Sequence, residues 1–195
     1  AISAVQVGEG GLSEMTNLIT RLRELGVQSA SDTIGDKERG YLQLEAKSSS
    51  EEIDRISKTT KFGDKNRLDG SNPVFDFHVG STASKENIIT YKVDGNTTAA
   101  ELNLDSVDVS SKDGARELLG YTDKALETIS RMRAGFGAVQ SRLESTVNGL
   151  DVKTENLSAA KSRIMDADIA KESSDLASAT MLQNASTSVL QQANQ

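Results

Sequence analysis

Apolar residues recur at helical spacing along the first part of the chain. Between residues 11 and 25 they are three or four positions apart, which places them on one helix face: Leu12, Met15, Leu18, Ile19, Leu22 and Leu25. Residues 31–36 are turn and capping types, with Thr33 or Asp36 as a plausible N-cap for a following helix. The pattern predicts a helix, a turn and a second helix.

The second helix is predicted from about Lys37 to Thr60. Its inward positions are less apolar than those of the first helix, and they are Leu42, Ala46, Ser49, Ile53, Ile56 and Thr60. Because helices gain most of their stability from tertiary packing, this helix needs a neighbouring helix to cover it.

After Phe62 the period changes from helical to alternating. Residues 74–79 and 88–93 each alternate with a period of two, and the turn-forming residues Pro73 and Asp94 flank them. We expect a β-hairpin with a loop at about 80–87. The chain from there to Ser111 holds only short apolar pairs, which indicates irregular structure or one further short strand.

The strongest pattern begins at Ala115. Steps of three and four residues alternate without a break to Ala167, and all the positions are apolar except Thr122, Thr146 and Lys153. A heptad register held this long is typical of coiled-coil packing, and we expect the stripe to be intramolecular core. The helix also contains residues that each weaken it by roughly 1 kcal/mol relative to alanine, namely Gly135, Gly137 and Gly149.

These patterns divide the chain into four regions. They are N-terminal core helices (1–61), a hairpin and irregular tip region (62–112), a long C-terminal core helix (113–168) and the start of a truncated, poorly filled terminal helix (169–195). The predicted fold class is mainly α: a long antiparallel helical rod, a coiled-coil-like bundle, with a small β-hairpin region at the tip.

Composition excludes several classes of function. The 195 residues carry a net charge of −7 with no basic run, which argues against nucleic acid or an anionic membrane as a partner. There is no cysteine, and no apolar run is long enough to cross a bilayer. The chain opens in the middle of an apolar pattern and ends without a capping residue, so we expect a fragment cut at both ends.

Candidate catalytic residues are few. With one histidine, His78, and no cysteine, neither a Cys–His pair nor a multi-histidine metal site can form. Asp166 and Asp168 point away from each other at a helical spacing of two, and no phosphate-binding glycine motif occurs. We therefore expect no enzymatic activity, no cofactor and no metal.

Several long motifs, in order, resemble those of the bacterial flagellin family. Residues 21–33, RLRELGVQSASDT, resemble RxRELAVQSANDT, and residues 155–168, ENLSAAKSRIMDAD, resemble ENLxAAxSRIxDxD. The tail at 181–195 is similar to ILQQAGTSVLAQANQ. The resemblance covers about 1–70 and 113–195, and it departs from the family at Gly26, where alanine is usual.

The resemblance implies a structural subunit and no enzyme. Flagellins are secreted and assemble with other flagellin subunits into the extracellular filament that propels swimming bacteria. An export chaperone binds their C-terminal helix, for which the corresponding positions here are Leu176, Leu182, Val189 and Leu190. Because the family's terminal helices are largely absent, we expect this fragment to be monomeric. The alternative is a hook–filament junction protein or a related flagellar adaptor.

The resemblance also implies a surface read by the innate-immune receptor Toll-like receptor 5. The matching positions are Arg21, Leu25, Gln28 and Glu45. Arg21 and Leu25 are four residues apart and share a helix face, and an arginine beside an apolar anchor is a common interface hot spot. The same face is also suited to contacts between filament subunits, and both uses are compatible.

Overall fold

The computed structural model describes residues 1–66, 68–71, 74–93 and 95–193, with the backbone alone at 166–168. Within these residues it contains three α-helices: α1 (Ile2–Ala30), α2 (Asp36–Thr59) and α3 (Lys112–Ala193). Between α2 and α3 lie a 3₁₀ turn (Lys85–Asn87) and the strands β1 (Lys61–Phe62), β2 (Lys65–Asn66), β3 (Val74–His78) and β4 (Ile88–Lys92). The mainly helical prediction is confirmed.

Some sequence predictions fall outside the described residues. The turn signals assigned to Pro73 and Asp94 lie there, and so do the side chains of Asp166 and Asp168. The chain divides into two compact units, residues 1–145 and 146–195.

The apolar face of α1 is buried along the whole helix. Leu12, Met15, Ile19, Leu22 and Leu25 are all fully buried. The same spacing continues backwards through Gly8 to Val5, which are also buried, and α1 begins at Ile2. Of the three glycines in this first stretch, Gly8 and Gly11 lie on the packed face, where a Cβ atom would crowd Phe136 and Thr60 respectively.

In the first unit the heptad stripe of α3 forms the facing side of the core. Every stripe position from 115 to 143 is at most 4% exposed: Ala115, Leu118, Thr122, Ala125, Ile129, Met132, Phe136, Val139 and Leu143. The polar member, Thr122, satisfies its hydroxyl by donating to the Leu119 carbonyl at 3.0 Å. This part of the stripe is intramolecular core, as the heptad pattern predicts.

Beyond Leu143 the expectation of an intramolecular core is wrong. The second unit, over its described residues, is helical throughout, and its stripe residues Leu150, Leu157 and Ile164 are 40%, 61% and 66% exposed. A lone helix has no second surface against which to bury an apolar stripe. The heptad stripe of the second unit is therefore an apolar face that needs another helix to cover it, and the described residues of that unit contain no such helix.

Two small antiparallel sheets, β1–β2 and β3–β4, lie between α2 and α3 in the chain. In β3–β4 the predicted alternation is observed, with Phe75 opposite Tyr91 and Phe77 opposite Ile89. The β1–β2 sheet was not predicted. Its two-residue turn begins with Gly63 at φ +63°, a left-handed conformation that glycine adopts without steric cost.

The β3–β4 hairpin packs its aromatic face against the side of α3. The ring centroids of Phe75 and Tyr91 lie 6.1 and 5.5 Å from that of Phe136, a spacing at which aromatic pairs attract. A Cβ atom at Gly135 would overlap the Tyr91 hydroxyl, so the hairpin approaches α3 this closely only because position 135 has no side chain.

Residues 97–111, which we call the strap, cross the helices without forming a strand. The Gln43 side-chain amide donates to the Val107 carbonyl and accepts from the Val109 N–H, both at 2.7 Å. Ser29 donates to the Val109 carbonyl at 2.5 Å, and Ser50 donates to the Leu104 carbonyl. Helix side chains thus satisfy the strap backbone in place of a neighbouring strand.

We predict that Gly135→Ala destabilises the first unit by about 1–3 kcal/mol, because the overlap with Tyr91 outweighs the better helix propensity of alanine. Gly137→Ala is the matched control, since a Cβ there meets nothing within 4 Å. That change should stabilise by about 1 kcal/mol. Urea unfolding followed by circular dichroism measures both, and an equal gain in stability from the two variants would contradict the packing account.

Candidate interaction surface

The turn between α1 and α2 is fixed by a buried arginine. Arg39 is 4% exposed and donates from Nε to the Ser29 carbonyl at 2.9 Å and from Nη2 to the Ser31 carbonyl at 2.8 Å. Its Nη1 lies 3.1 Å from an Asp36 carboxylate oxygen. The last carbonyls of a helix lack intrahelical donors, so Arg39 caps α1 and fixes the start of α2. In the sequence, the position of Arg39 three residues before Leu42 indicated that it lies on the inward face of α2.

Beyond this turn, Arg21 and Glu45 join the outer edges of the two helices. Arg21 Nε lies 2.7 Å from Glu45 Oε1, and Arg21 Nη1 lies 3.1 Å from Glu24 Oε2. The three side chains are 44–61% exposed. The structure therefore brings together two of the four positions predicted as contact residues, and it adds Glu24, which the sequence motif did not single out.

The two carboxylates hold the guanidinium in one orientation. The hydrogen bond with Glu45, followed by that with Glu24, raises the pKa of Arg21 above its usual value, and an arginine is already ionised at all working pH values. Exposed ion pairs contribute little to stability because solvent screens them. The two carboxylates therefore orient the Arg21 guanidinium on the surface, and they add little to the stability of the fold.

The other two predicted positions lie in different environments. Gln28 is exposed, seven residues from Arg21 on the same helix face. Leu25 is fully buried in the core and is not on the accessible surface of the first unit. Its position in the inward stripe, three residues after Leu22, accounts for this burial.

Gly26, the departure from the family motif, faces α3. A Cβ atom there would lie 3.1 Å from Leu119 Cδ2 and 3.4 Å from the Ala115 carbonyl oxygen. Because the nearest atom ends a flexible side chain, an alanine would need only a small shift of Leu119. Glycine at this position eases the approach of α1 to α3 without being required for it.

α2 carries an exposed apolar pair that its sequence pattern did not single out. Tyr41 and Leu44 are 62% and 66% exposed. Neither residue belongs to the inward positions that include Leu42 and Ala46, so the sequence alone indicated that both face outward. Tyr41 is four residues before Glu45 and so adjoins the Arg21–Glu45 pair on the helix surface.

The four C-terminal positions all lie on the second unit and are exposed. The exposed fractions are 69% for Leu176, 69% for Leu182, 65% for Val189 and 63% for Leu190. At 3.6 residues per turn their spacings of six, seven and one spread them over roughly 140° of the helix surface, so they form a broad, open apolar row. In the described residues of the chain, no helix could span a membrane, and no three metal-ligating side chains cluster.

Family models match both ends of the chain. The bacterial flagellin N-terminal helical region matches residues 1–73, and the bacterial flagellin C-terminal helical region matches residues 119–195. Together they account for most of the sequence.

Individual proteins give the same result over the full length. The chain is 38% identical over 210 residues to the flagellar filament 33 kDa core protein of Treponema phagedenis, covering 100% of this chain and 72% of that protein. It is 37% identical over 196 residues to a flagellin of Halalkalibacterium halodurans, covering 100% and 71%. The fold is similar to the crystal structure of Bacillus cereus flagellin, with a TM-score of 0.66 at 22% identity over 76% of this chain and 84% of that one.

We predict that Arg39→Met destabilises the first unit by about 2–4 kcal/mol, because it removes the Arg39 donors to the buried Ser29 carbonyl and the partly buried Ser31 carbonyl. Arg39→Lys should recover only part of this loss, since a single ammonium cannot span both carbonyls in the guanidinium geometry. Arg55→Met is the control, because Arg55 is exposed and its ion pair is with Glu52 of its own helix. Thermal unfolding should show little change for the control, and equal losses would refute the capping role.

Proposed function

Since the chain belongs to the bacterial flagellin family, it is a structural subunit of the flagellar filament, and we propose that its copies assemble outside the cell into the helical propeller used for swimming. Flagellins are structural proteins, so the function of this chain lies in its contacts with other proteins. Each subunit is expected to use different surface patches towards its neighbours, because such contacts do not close and therefore propagate as a helix.

The observation that best supports assembly is the exposed heptad stripe of the second unit. Leu150, Leu157 and Ile164 recur every seven residues and are 40–66% exposed. Coiled-coil packing covers such a row with another helix, and burial yields roughly 25 cal/mol per Å² of apolar surface. A subunit that remained alone would keep this surface in water.

Electron microscopy of the full-length protein after salt-induced assembly tests the filament role. We expect long helical filaments, because open contacts add subunits without limit. A folded protein that forms no long polymers would instead favour the alternative, a hook–filament junction protein or related adaptor.

A second proposal concerns recognition by Toll-like receptor 5 through Arg21, Gln28 and Glu45. Its support is the exposure of these side chains and the fixed orientation of the Arg21 guanidinium between two carboxylates. Pre-ordering lowers the entropy lost when a partner binds. Leu25 contributes indirectly, since its buried side chain holds this part of α1 in place.

A third proposal is that the exposed row on the second unit binds an export chaperone before assembly. Leu176, Leu182, Val189 and Leu190 would fit an apolar groove that accepts one face of a helix. A chaperone that covered this row would keep subunits apart until they are exported.

We predict that Arg21→Ala raises the concentration needed for half-maximal receptor signalling by roughly tenfold or more, as expected for a hot-spot arginine. Arg55→Ala is the matched control, because Arg55 is also exposed and paired with a glutamate three residues away. Reporter cells that express the receptor give the dose response. Similar shifts in the half-maximal concentration for the two variants would contradict a direct receptor contact by Arg21.

Leu25→Ala separates direct from indirect effects in the same assay. Its effect should be accompanied by a lower melting temperature, because a core leucine is lost. Arg21→Ala should leave the melting temperature nearly unchanged.

A further inference from the structure

The sequence contains one Asn–Gly pair, Asn148–Gly149, and the structure places it within α3. Both residues are exposed, and a Cβ atom at Gly149 would meet nothing within 4 Å. The side-chain amide of an asparagine is open to attack by the backbone nitrogen of the next residue. Glycine hinders that attack least, because it has no side chain and the greatest backbone freedom. Asn148 is therefore the asparagine of this chain with the most reactive neighbour.

An intact helix opposes this attack. In an α-helix the N–H of Gly149 is hydrogen-bonded to the carbonyl of residue 145. The helical ψ of about −42° also keeps the Gly149 nitrogen away from the side-chain carbonyl carbon of Asn148. α3 must therefore open locally before the two atoms can meet, and the frequency of this opening sets the reactivity of Asn148.

The turn around Asn148 is a weak part of α3. The five consecutive residues 145–149, Ser-Thr-Val-Asn-Gly, include no strong helix former. Tertiary packing ends at the same place, since Leu143 is 2% exposed and Leu150 is 40% exposed. A helix without packing is marginal in water, and helical segments with few buried contacts open locally at low cost. Neither local propensity nor packing holds this turn closed.

We propose that Asn148 is a site of spontaneous deamidation. The Gly149 nitrogen attacks Asn148 Cγ, the C–N bond of the side-chain amide breaks, and ammonia leaves with the proton from the Gly149 nitrogen. This step closes a succinimide ring. Water then opens the ring at either carbonyl and gives aspartate or isoaspartate at position 148. The modification needs no enzyme, and it goes beyond the filament role without depending on it.

The isoaspartate product alters α3 directly before its exposed heptad residues Leu150, Leu157 and Ile164. Its backbone contains an additional methylene, so the helical hydrogen bonds cannot continue in register through residue 148. Both products also place a negative charge two residues before Leu150. Deamidation therefore interrupts the helix at the beginning of its exposed apolar face.

Mass spectrometry of the full-length protein, incubated as a monomer at mildly alkaline pH, tests the proposal. Trypsin releases the adjacent peptides 143–153 and 154–161, whose single asparagines are Asn148 and Asn156. Asn156 is the matched control, because it is exposed in the same helix but precedes Leu157. Conversion of the amide to a carboxylate should be at least about tenfold faster at position 148. Equal rates at the two positions overturn the proposal.

The products identify the route. A succinimide gives aspartate and isoaspartate peptides of equal mass that separate by chromatography, and an isoaspartyl methyltransferase labels only the second. Aspartate alone, as direct hydrolysis would give, contradicts ring closure onto Gly149. Gly149→Ala should slow conversion at position 148 at least about tenfold, since its methyl group hinders the attacking nitrogen and strengthens the helix. An unchanged rate in this variant also contradicts ring closure.

Val147→Ala tests whether the helix has to open. Val147 is 46% exposed, and alanine is the better helix former. The variant keeps the Asn148–Gly149 pair and should slow conversion by about two- to threefold. Urea that unfolds the chain should remove this difference from the wild type. Equal rates for Val147→Ala and the wild type in the absence of urea contradict control by helix opening.

Discussion

Burial of the α1 stripe against α3 is the interaction on which the rest of the first unit depends. Fully buried residues such as Leu12 and Leu22 contribute roughly 1.5–3 kcal/mol each, whereas the exposed pair Arg23–Asp123, at 2.8 Å between the same helices, contributes at most about 1 kcal/mol. The apolar stripe therefore holds the helices together, and the exposed ion pair adds little to it. Glycines on the contact face let the helices approach, since a Cβ at Gly8 would lie 3.2 Å from the Phe136 ring.

The elements that attach to this helix pair do so through fewer and more specific contacts. α2 has few apolar residues on its inward face, and polar residues complete that face: the buried Ser50 and the half-buried Gln43 bind the strap, while the buried Arg39 binds the end of α1. These bonds satisfy backbone groups that would otherwise be buried without partners. The strap in turn covers the core with Leu104 and Val109. α2 and the strap thus stabilise each other through these hydrogen bonds.

The sequence predicted the elements whose pattern is local and failed where a distant contact decides. The α1 stripe, the α3 heptads to Leu143 and the β3–β4 alternation follow from the spacing of residues alone. The small β1–β2 sheet escaped notice because two-residue strands have no measurable period. In the strap, Val107 and Val109 alternate as they would in a strand, but the Gln43 side chain binds their backbone in place of a neighbouring strand. No pattern within the strap sequence indicates this distant contact. At the surface, the family resemblance singled out Arg21 and Glu45, which are exposed, together with Leu25, which is buried. Arg21 and Leu25 are four residues apart and share a helix face, but the packing of α3 against α1 decides which part of that face stays exposed.

The heptad stripe of α3 shows what periodicity can establish about function. The same register is buried at Phe136 and Leu143 and exposed at Leu157, so the pattern specifies that a face must be covered without specifying the molecule that covers it. Glycine has the same ambiguity. Gly135 is explained by the Tyr91 hydroxyl within the chain, whereas no contact within the chain explains Gly40. In a protein that works by assembling, features left unexplained by the monomer are where contacts between copies should be sought. The exposed Leu157 is such a feature.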